Sequence, residues 1–237
     1  CIADARGNEA GASLTRHNGP RVWSGQAEMF LAPASHLTDE DQKRGLNLLV
    51  NEAAFSAGTV ALTSGAILTA FALHLGASNL WIGVLASAPF LTQLLQVPAI
   101  LLIERLRARK RIAVVTSVIG RPMLLVMAFA AFWSGPAALM ALLAAQYVLC
   151  GFGAVGSCAW NAWLRDLAPD DMLGRVIARR SIWTASVSLV AGLAAALILA
   201  RTPDNSSTRD LAFAGMFVIG CVTGLISARI VSAIPEP

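Results

Sequence analysis

Residues 104–111 form the most charged short stretch of the sequence. They hold one carboxylate, Glu104, and five cations: Arg105, Arg107, Arg109, Lys110 and Arg111. Taken alone, such a cluster suggests a site for nucleic acid or acidic lipid. Here it separates two runs of about twenty almost uncharged residues, and a charged loop between such runs fixes the direction in which the flanking helices cross a membrane. We therefore interpret its cations as orientation signals and expect no nucleic-acid partner.

A second group of candidate residues stands inside the apolar runs, where polar side chains are costly and are functional candidates by default. Its members are Asn51, Glu52, Gln93, Gln96, Arg121, Gln146, Tyr147 and Asn161. Arg121 lies about nine residues inside the third run, and a rise of 1.5 Å per residue puts it about 13 Å deep. At that depth its cation either holds a substrate anion or pairs with an internal carboxylate.

The other polar candidates each have two interpretations. Glu52 either carries a coupling proton, if it is buried, or is a carboxylate at the membrane interface beside a cation. Gln93 and Gln96 share one helix face at i, i+3 spacing, and the polar residues of the fourth run suit recognition of a polar small molecule. For each of these residues, plain hydrogen bonding between helices is the alternative.

The composition bounds the class of protein that must position these residues. The chain has 237 residues, of which 56% are hydrophobic and 14% charged, whereas a soluble domain has about 25% charged residues. Six runs have the length of about 20 apolar residues that a bilayer core of about 30 Å requires. They are 46–75, 80–103, 112–133, 137–164, 181–200 and 211–231. We predict an all-α membrane protein with a six-helix transmembrane bundle over 46–233, a polar leader over 1–45 and the start of a central loop at 234–237.

The distribution of Lys and Arg over the connections predicts the orientation of the bundle. One side carries Lys43, Arg44, the five cations of the charged stretch, Arg165, Arg175, Arg179 and Arg180. The other side carries only Arg201 and Arg209. Because cytoplasmic loops are the positive ones, we expect a protein of the inner cell membrane with both ends of this chain in the cytoplasm.

Motifs for other chemistry are missing from the sequence. It has no cysteine pair with metal-ligand spacing, no Ser-His-Asp set and no G-x-x-x-x-G-K-[ST] phosphate loop, so we predict no enzyme, no metal and no cofactor. Residues 151–156 spell G-x-G-x-x-G. They lie in the middle of an apolar run with no strand before them, and we interpret their glycines as helix-packing residues.

The two charged connections resemble those of a known family. The loop signature of the major facilitator superfamily is G-x-x-x-D-R-x-G-R-[RK], and residues 104–110, Glu-Arg-Leu-Arg-Ala-Arg-Lys, are similar to its charged part. When the signature is aligned from residue 100 onward, Ile100 and Arg107 stand where the family has glycine. Residues 161–169, Asn-Ala-Trp-Leu-Arg-Asp-Leu-Ala-Pro, followed by Gly-Arg at 174–175, resemble the connection after the fourth helix in bacterial members. The resemblance covers residues 46–237.

The resemblance implies that this chain is a fragment, the N-terminal half of a twelve-helix transporter. Its partners would be the bilayer, the missing C-terminal half and a small solute bound near the midplane between the halves. The implied function is secondary active transport by alternating access. Two alternatives stand open: a self-associating six-helix protein, and a non-transporting membrane assembly or scaffold protein.

The resemblance also implies roles for single residues. The first and fourth helices would line the cavity, and the third would pack outside it, which favours structural pairing for Arg121. Glu104 would latch the cytoplasmic gate with Arg165 or Arg175, and Asp166 would pair back to Arg105 or Arg109. Lys110 completes the set of gating candidates.

Overall fold

Every regular secondary-structure element among the described residues is a helix. In this computed structural model, residues 39–106, 109–133, 135–167, 170–203 and 207–234 are described. Nine helices occur among them: α1 Asp39–Thr63, α2 Gly65–His74, α3 Asn79–Gln93, α4 Gln96–Leu106, α5 Arg109–Gly120, α6 Met123–Ala130, α7 Pro136–Leu167, α8 Asp170–Arg201 and α9 Ser207–Ala233. The leader at 1–38 lies outside the described residues.

These helices combine into six segments long and apolar enough to cross a membrane. In chain order, spans 1 to 6 are Asn47–His74, Asn79–Arg105, Lys110–Ala130, Pro136–Trp160, Gly174–Arg201 and Ser207–Ala233. The prediction of an all-α six-helix membrane bundle is confirmed. We call the end of the bundle that carries Glu104 and Arg175 the basic end, and the opposite end the outer end.

Helix continues through most of the two charged segments that the sequence suggested as connections or leader. α1 begins at Asp39, within the predicted leader, where acidic residues favour the N-terminal end of a helix. The predicted connection 165–180 is helical up to Leu167 and again from Asp170. Charged residues do not break helices, so α7 and α8 extend beyond the apolar part of their spans.

Three spans are interrupted, and each interruption has a local cause. Span 1 breaks at Gly65, whose φ of 59° lies in the left-handed region that glycine adopts without strain. Span 3 breaks at Arg121 and Pro122, because the proline has no N–H to continue the helical ladder. In span 2, Leu94 and Leu95 bond back three residues instead of four, just before Pro98.

The packing of spans 1–3 mirrors that of spans 4–6. If span 1 is exchanged with span 4, span 2 with span 5 and span 3 with span 6, the main packing pairs stay the same. Span 1 packs on spans 5 and 6, and span 4 packs on spans 2 and 3. Spans 3 and 6, which the exchange maps onto each other, also pack together. The two peripheral spans are span 5 and span 2, which have the smallest buried shares. The exchange maps these two onto each other as well.

An aromatic cluster and an ion pair join spans 1 and 6 near the outer end. The ring of Phe71 lies 5.0 Å from that of Phe213 and 5.1 Å from that of Phe217, between ring centres. His74 Nε2 lies 2.6 Å from Asp210 Oδ1. The two residues lie 136 positions apart in the sequence.

Large apolar side chains remain exposed around the outside of the bundle. Phe90, Leu80 and Leu94 are each more than 70% exposed. A soluble monomer does not expose such a continuous apolar surface, whereas helices that satisfy their own backbone groups suit hydrocarbon. This surface therefore faces lipid.

Candidate functional site

A cavity of about 370 Å³ lies at the centre of the bundle. Spans 3 and 6 pack against each other, span 1 packs on span 6 and span 4 packs on span 3. Spans 1, 3 and 4 supply most of its described lining, and span 6 contributes Ser227 and Val231. The resemblance predicted a cavity lined by the first and fourth helices, and both line this one.

Glu52 is the carboxylate of this cavity. It is 6% exposed. Its Oε2 accepts a hydrogen bond of 3.2 Å from Arg180 Nη2, and its Oε1 accepts one of 3.1 Å from Ser227 Oγ. Both oxygens are thus held, one by span 5 and one by span 6. The interpretation of Glu52 as an ion-paired carboxylate matches this arrangement, although the pair is inside the bundle and not at its surface.

Arg180 connects the carboxylate to span 4. Its guanidinium carbon lies 5.3 Å from the centre of the Trp160 ring, within the range of a cation–π contact. The cation therefore has a carboxylate on one side and an aromatic face on another. Charge pairing and the aromatic contact together offset part of the cost of a cation that lies about 9 Å inside span 5, at 1.5 Å per residue from Gly174.

Arg121 lines the same cavity, at the break of span 3. Its side chain crosses the bare backbone of span 6: a Cβ built on Gly224 would lie 2.6 Å from Arg121 Cδ and 2.8 Å from its Nε. Only glycine at this position leaves room for the stem of the arginine. Arg121 also attracts Glu52 electrostatically, but no described residue accepts a hydrogen bond from its guanidinium.

Gln146 brings a polar group to the cavity from span 4. It is 5% exposed. Its Nε2 donates to Cys150 Sγ at 3.2 Å, while its Oε1 has no hydrogen-bond partner among the described residues. A buried acceptor without a partner costs about 1–3 kcal/mol, and this one belongs to a residue that lines the cavity.

Four of the polar candidates lie outside the cavity: Asn51, Gln93, Gln96 and Tyr147. Asn51 is exposed and does not line the cavity. Tyr147 Oη donates to the Val84 carbonyl at 2.9 Å and lies 2.9 Å from Ser87 Oγ, so it joins span 4 to span 2. Gln93 is exposed and accepts a hydrogen bond from Gln96. For these residues the alternative of interhelical or surface hydrogen bonding describes the structure better than substrate contact.

The gating candidates gather at the basic end, as far as they are described. Glu104, Arg105 and Arg175 are exposed, and the ion pairs found among the described residues do not include one between Glu104 and Arg175. Lys110 is buried, with 3% exposure. The side chains of Arg109, Asn161, Arg165 and Asp166 lie outside the described residues, so the predicted contacts of the gate stay predictions.

Sequence reasoning named Arg121 as a candidate and missed two other parts of the site. The resemblance implied that the third helix packs outside the cavity, whereas Arg121 of that helix lines it. Sequence reasoning counted Arg180 only as an orientation cation. Gly224 was not among its candidate residues. The signal for Arg180 was its position directly before an apolar run, together with an unpaired Glu52 elsewhere in the chain.

The glycines of residues 151–156 do pack against neighbouring helices. A Cβ on Gly156 would lie 2.7 Å from Thr116 Oγ1 of span 3, and one on Gly151 would lie 3.4 Å from Leu95 of span 2. Gly153 has no such neighbour and lines the cavity. The prediction that these glycines serve helix packing is confirmed for Gly151 and Gly156.

Comparison with known proteins returned no match: no family model fits the chain, and no curated protein and no solved structure is similar to it.

Proposed function

We propose that this chain is a six-helix unit of a secondary transporter related to the major facilitator superfamily, and that it moves a small solute across the membrane by alternating access. The observation that carries the proposal is the cavity at the centre of the bundle, lined by Glu52, Arg121, Arg180 and Gln146. Charged residues inside membrane spans mark substrate or ion pathways, because a purely structural bundle gains nothing from their cost.

The depth of two lining residues supports a solute site near the midplane. Arg121 lies about 16 Å from Lys110 at the basic end, and Gln146 about 15 Å from Pro136 at the outer end, at 1.5 Å per residue. In a hydrocarbon core of about 30 Å, both residues are therefore near the middle. Secondary transporters bind their substrates at this level.

The packing pattern gives independent support. Exchange of spans 1–3 with spans 4–6 leaves the main packing pairs unchanged. Because each group has an odd number of spans, the two groups cross the membrane in opposite directions. Inverted repeats of this kind are the architecture on which alternating access is built. The breaks of spans 1 and 3 beside the cavity, at Ser64 and Arg121, agree with the discontinuous helices of such transporters.

Orientation and partners complete the proposal. The basic end faces the cytoplasm of the inner cell membrane, since it carries most of the Lys and Arg residues. The bundle rocks against a second six-helix unit, and Glu104, Arg105 and Lys110 form part of the gate at the cytoplasmic side. The solute is driven by a proton gradient or by its own gradient.

The test is solute accumulation by the complete protein in proteoliposomes. A panel of labelled organic anions, sugars, amino acids and cationic drugs is offered with and without an imposed pH gradient. We expect uptake of at least one class, its loss in Arg121→Gln, and normal uptake in Arg229→Gln, which removes an exposed cation of span 6. If no solute moves although the protein is folded, the transport proposal fails and the scaffold alternative gains.

A further inference from the structure

The charges in the cavity do not balance. Among its described lining residues, Arg121 and Arg180 are cations and Glu52 is the one carboxylate. Glu52 accepts hydrogen bonds at both oxygens, from Arg180 and from Ser227, so its capacity is largely used by its own neighbours. One positive charge is left, and it belongs to Arg121.

Arg121 has the geometry of a binding group more than that of a structural one. Its stem rests on Gly224 and its guanidinium reaches the cavity, where no described residue accepts a hydrogen bond from it. A guanidinium presents five donors in a planar fork that matches a carboxylate in two parallel hydrogen bonds. The Arg121 guanidinium, whose donors have no acceptor among the described residues, is therefore a position for an anion in the cavity.

Gln146 adds a second requirement for the ligand. Its side chain lines the same cavity, and its Oε1 is buried with no partner among the described residues. The two groups lie at neighbouring depth, because Gly120, next to Arg121, packs against Phe152 and Leu149 of span 4, and Leu149 lies one turn from Gln146. The ligand should therefore carry a hydrogen-bond donor within reach of its anionic group.

We propose that the cavity binds a small monocarboxylate with a hydroxyl group near the carboxylate, the carboxylate at Arg121 and the hydroxyl at Gln146. The proposal rests on the proposed transport function, whose solute it specifies. A single surplus positive charge is neutralised by a monoanion. A dianion would leave a negative excess, and a zwitterion or a neutral solute would leave the positive charge unmatched.

The cavity also bears on the size and shape of the ligand. A volume of about 370 Å³ is at the lower end of the range for small-molecule sites. Leu149, Phe152 and Trp160 give it an apolar side beside the polar groups. A hydroxycarboxylate with a compact apolar body fits this combination.

Four probes of nearly equal size separate the parts of the proposal. Mandelate has the carboxylate and the hydroxyl, phenylacetate lacks the hydroxyl, mandelamide lacks the charge, and phenylglycine is the zwitterion. Binding of each to the complete protein in nanodiscs is measured by titration calorimetry, which requires no transport. We expect mandelate to bind about tenfold or more tightly than mandelamide and phenylglycine, because hydrogen bonds between charged groups are the stronger ones. Its preference over phenylacetate should be several-fold, since only a hydrogen bond between two neutral groups is lost.

Two variants assign the preferences to residues. Arg121→Gln should remove the preference for mandelate over mandelamide, and Gln146→Leu should remove the preference for mandelate over phenylacetate while the preference over mandelamide remains. Arg121→Lys keeps the charge without the fork and should keep part of the affinity, which covers the case in which Arg121→Gln does not fold. Arg229→Gln is the control and should bind all four probes as the wild type does.

The outcomes distinguish this proposal from the transport function. Equal binding of mandelate and mandelamide, binding unaffected at Arg121, or no binding of any probe at millimolar concentration overturns the monocarboxylate site. Such a result leaves transport of another solute intact. Selective binding of mandelate without uptake into proteoliposomes upholds the site and contradicts transport.

Discussion

At the scale of single residues, Glu52 is the point where three spans meet. It comes from span 1, and its two oxygens accept from Arg180 of span 5 and Ser227 of span 6. The carboxylate side chain is 8% exposed and that of Arg180 is 30% exposed. Removal of the carboxylate would leave one cation without its partner, in a partly buried position.

Glu52→Gln should therefore destabilise the protein by about 1–3 kcal/mol, below the full cost of breaking a buried ion pair because Arg180 is partly solvated. The double variant with Arg180→Gln should recover part of the loss, with a coupling of about 0.5–3 kcal/mol. Unfolding of the four proteins in mixed micelles measures both quantities. Strict additivity of the two single effects would contradict the pairing.

A second residue-scale prediction concerns the support of Arg121. Gly224→Ala places a methyl group 2.6 Å from Arg121 Cδ, so the arginine stem must move while the charge is kept. We expect a loss of anion binding by about tenfold, the scale of one weakened charge-assisted hydrogen bond, with little change in stability. Gly215→Ala in the same helix meets open space and is the matched control. Equal affinity in both variants would show that the position of Arg121 does not matter.

At the scale of the helices, the break in span 1 depends on one backbone conformation. Gly65 has a φ of 59° and a Cβ there would have no neighbour within 4 Å, so any penalty for a side chain comes from the backbone alone. Gly65→Ala should cost about 1–2 kcal/mol of unfolding free energy. Gly83→Ala also meets open space, inside α3, and should stabilise by up to about 1 kcal/mol. Effects of the same sign in the two variants would contradict a left-handed break at Gly65.

The sequence predicted the spans well because hydropathy accumulates along the chain. Span 2 was predicted over 80–103 and lies at Asn79–Arg105. The sequence also marked Glu52, Arg121 and Gln146 as unusual, since a polar group in an apolar run is visible without a structure. Their meeting was not predictable: it depends on how each helix is rotated, and the contact from Glu52 to Arg180 joins residues 128 positions apart. Local periodicity carries no information on such a pair.

At the scale of the whole molecule, the cavity lies among spans that the exchange of spans 1–3 with spans 4–6 maps onto one another. Spans 3 and 6, which the exchange maps onto each other, pack together. Spans 1 and 4, which also map onto each other, both line the cavity. In the proposed transport cycle, this bundle rocks against a second six-helix unit, which opens first the basic end and then the outer end. The same central cavity would then be reached from either side of the membrane in turn.

Cys150 offers a native probe of this motion, because it lines the cavity and contacts Gln146. A variant that keeps only this cysteine should react with impermeant thiol reagents in both right-side-out and inside-out vesicles. An anionic methanethiosulfonate should react faster than a cationic one, since the lining has a surplus positive charge. A variant that keeps only Cys221, which is 2% exposed, should remain unlabelled. Labelling of Cys150 from one side alone under every imposed gradient would contradict alternating access, and equal rates for the two reagents would contradict the positive cavity.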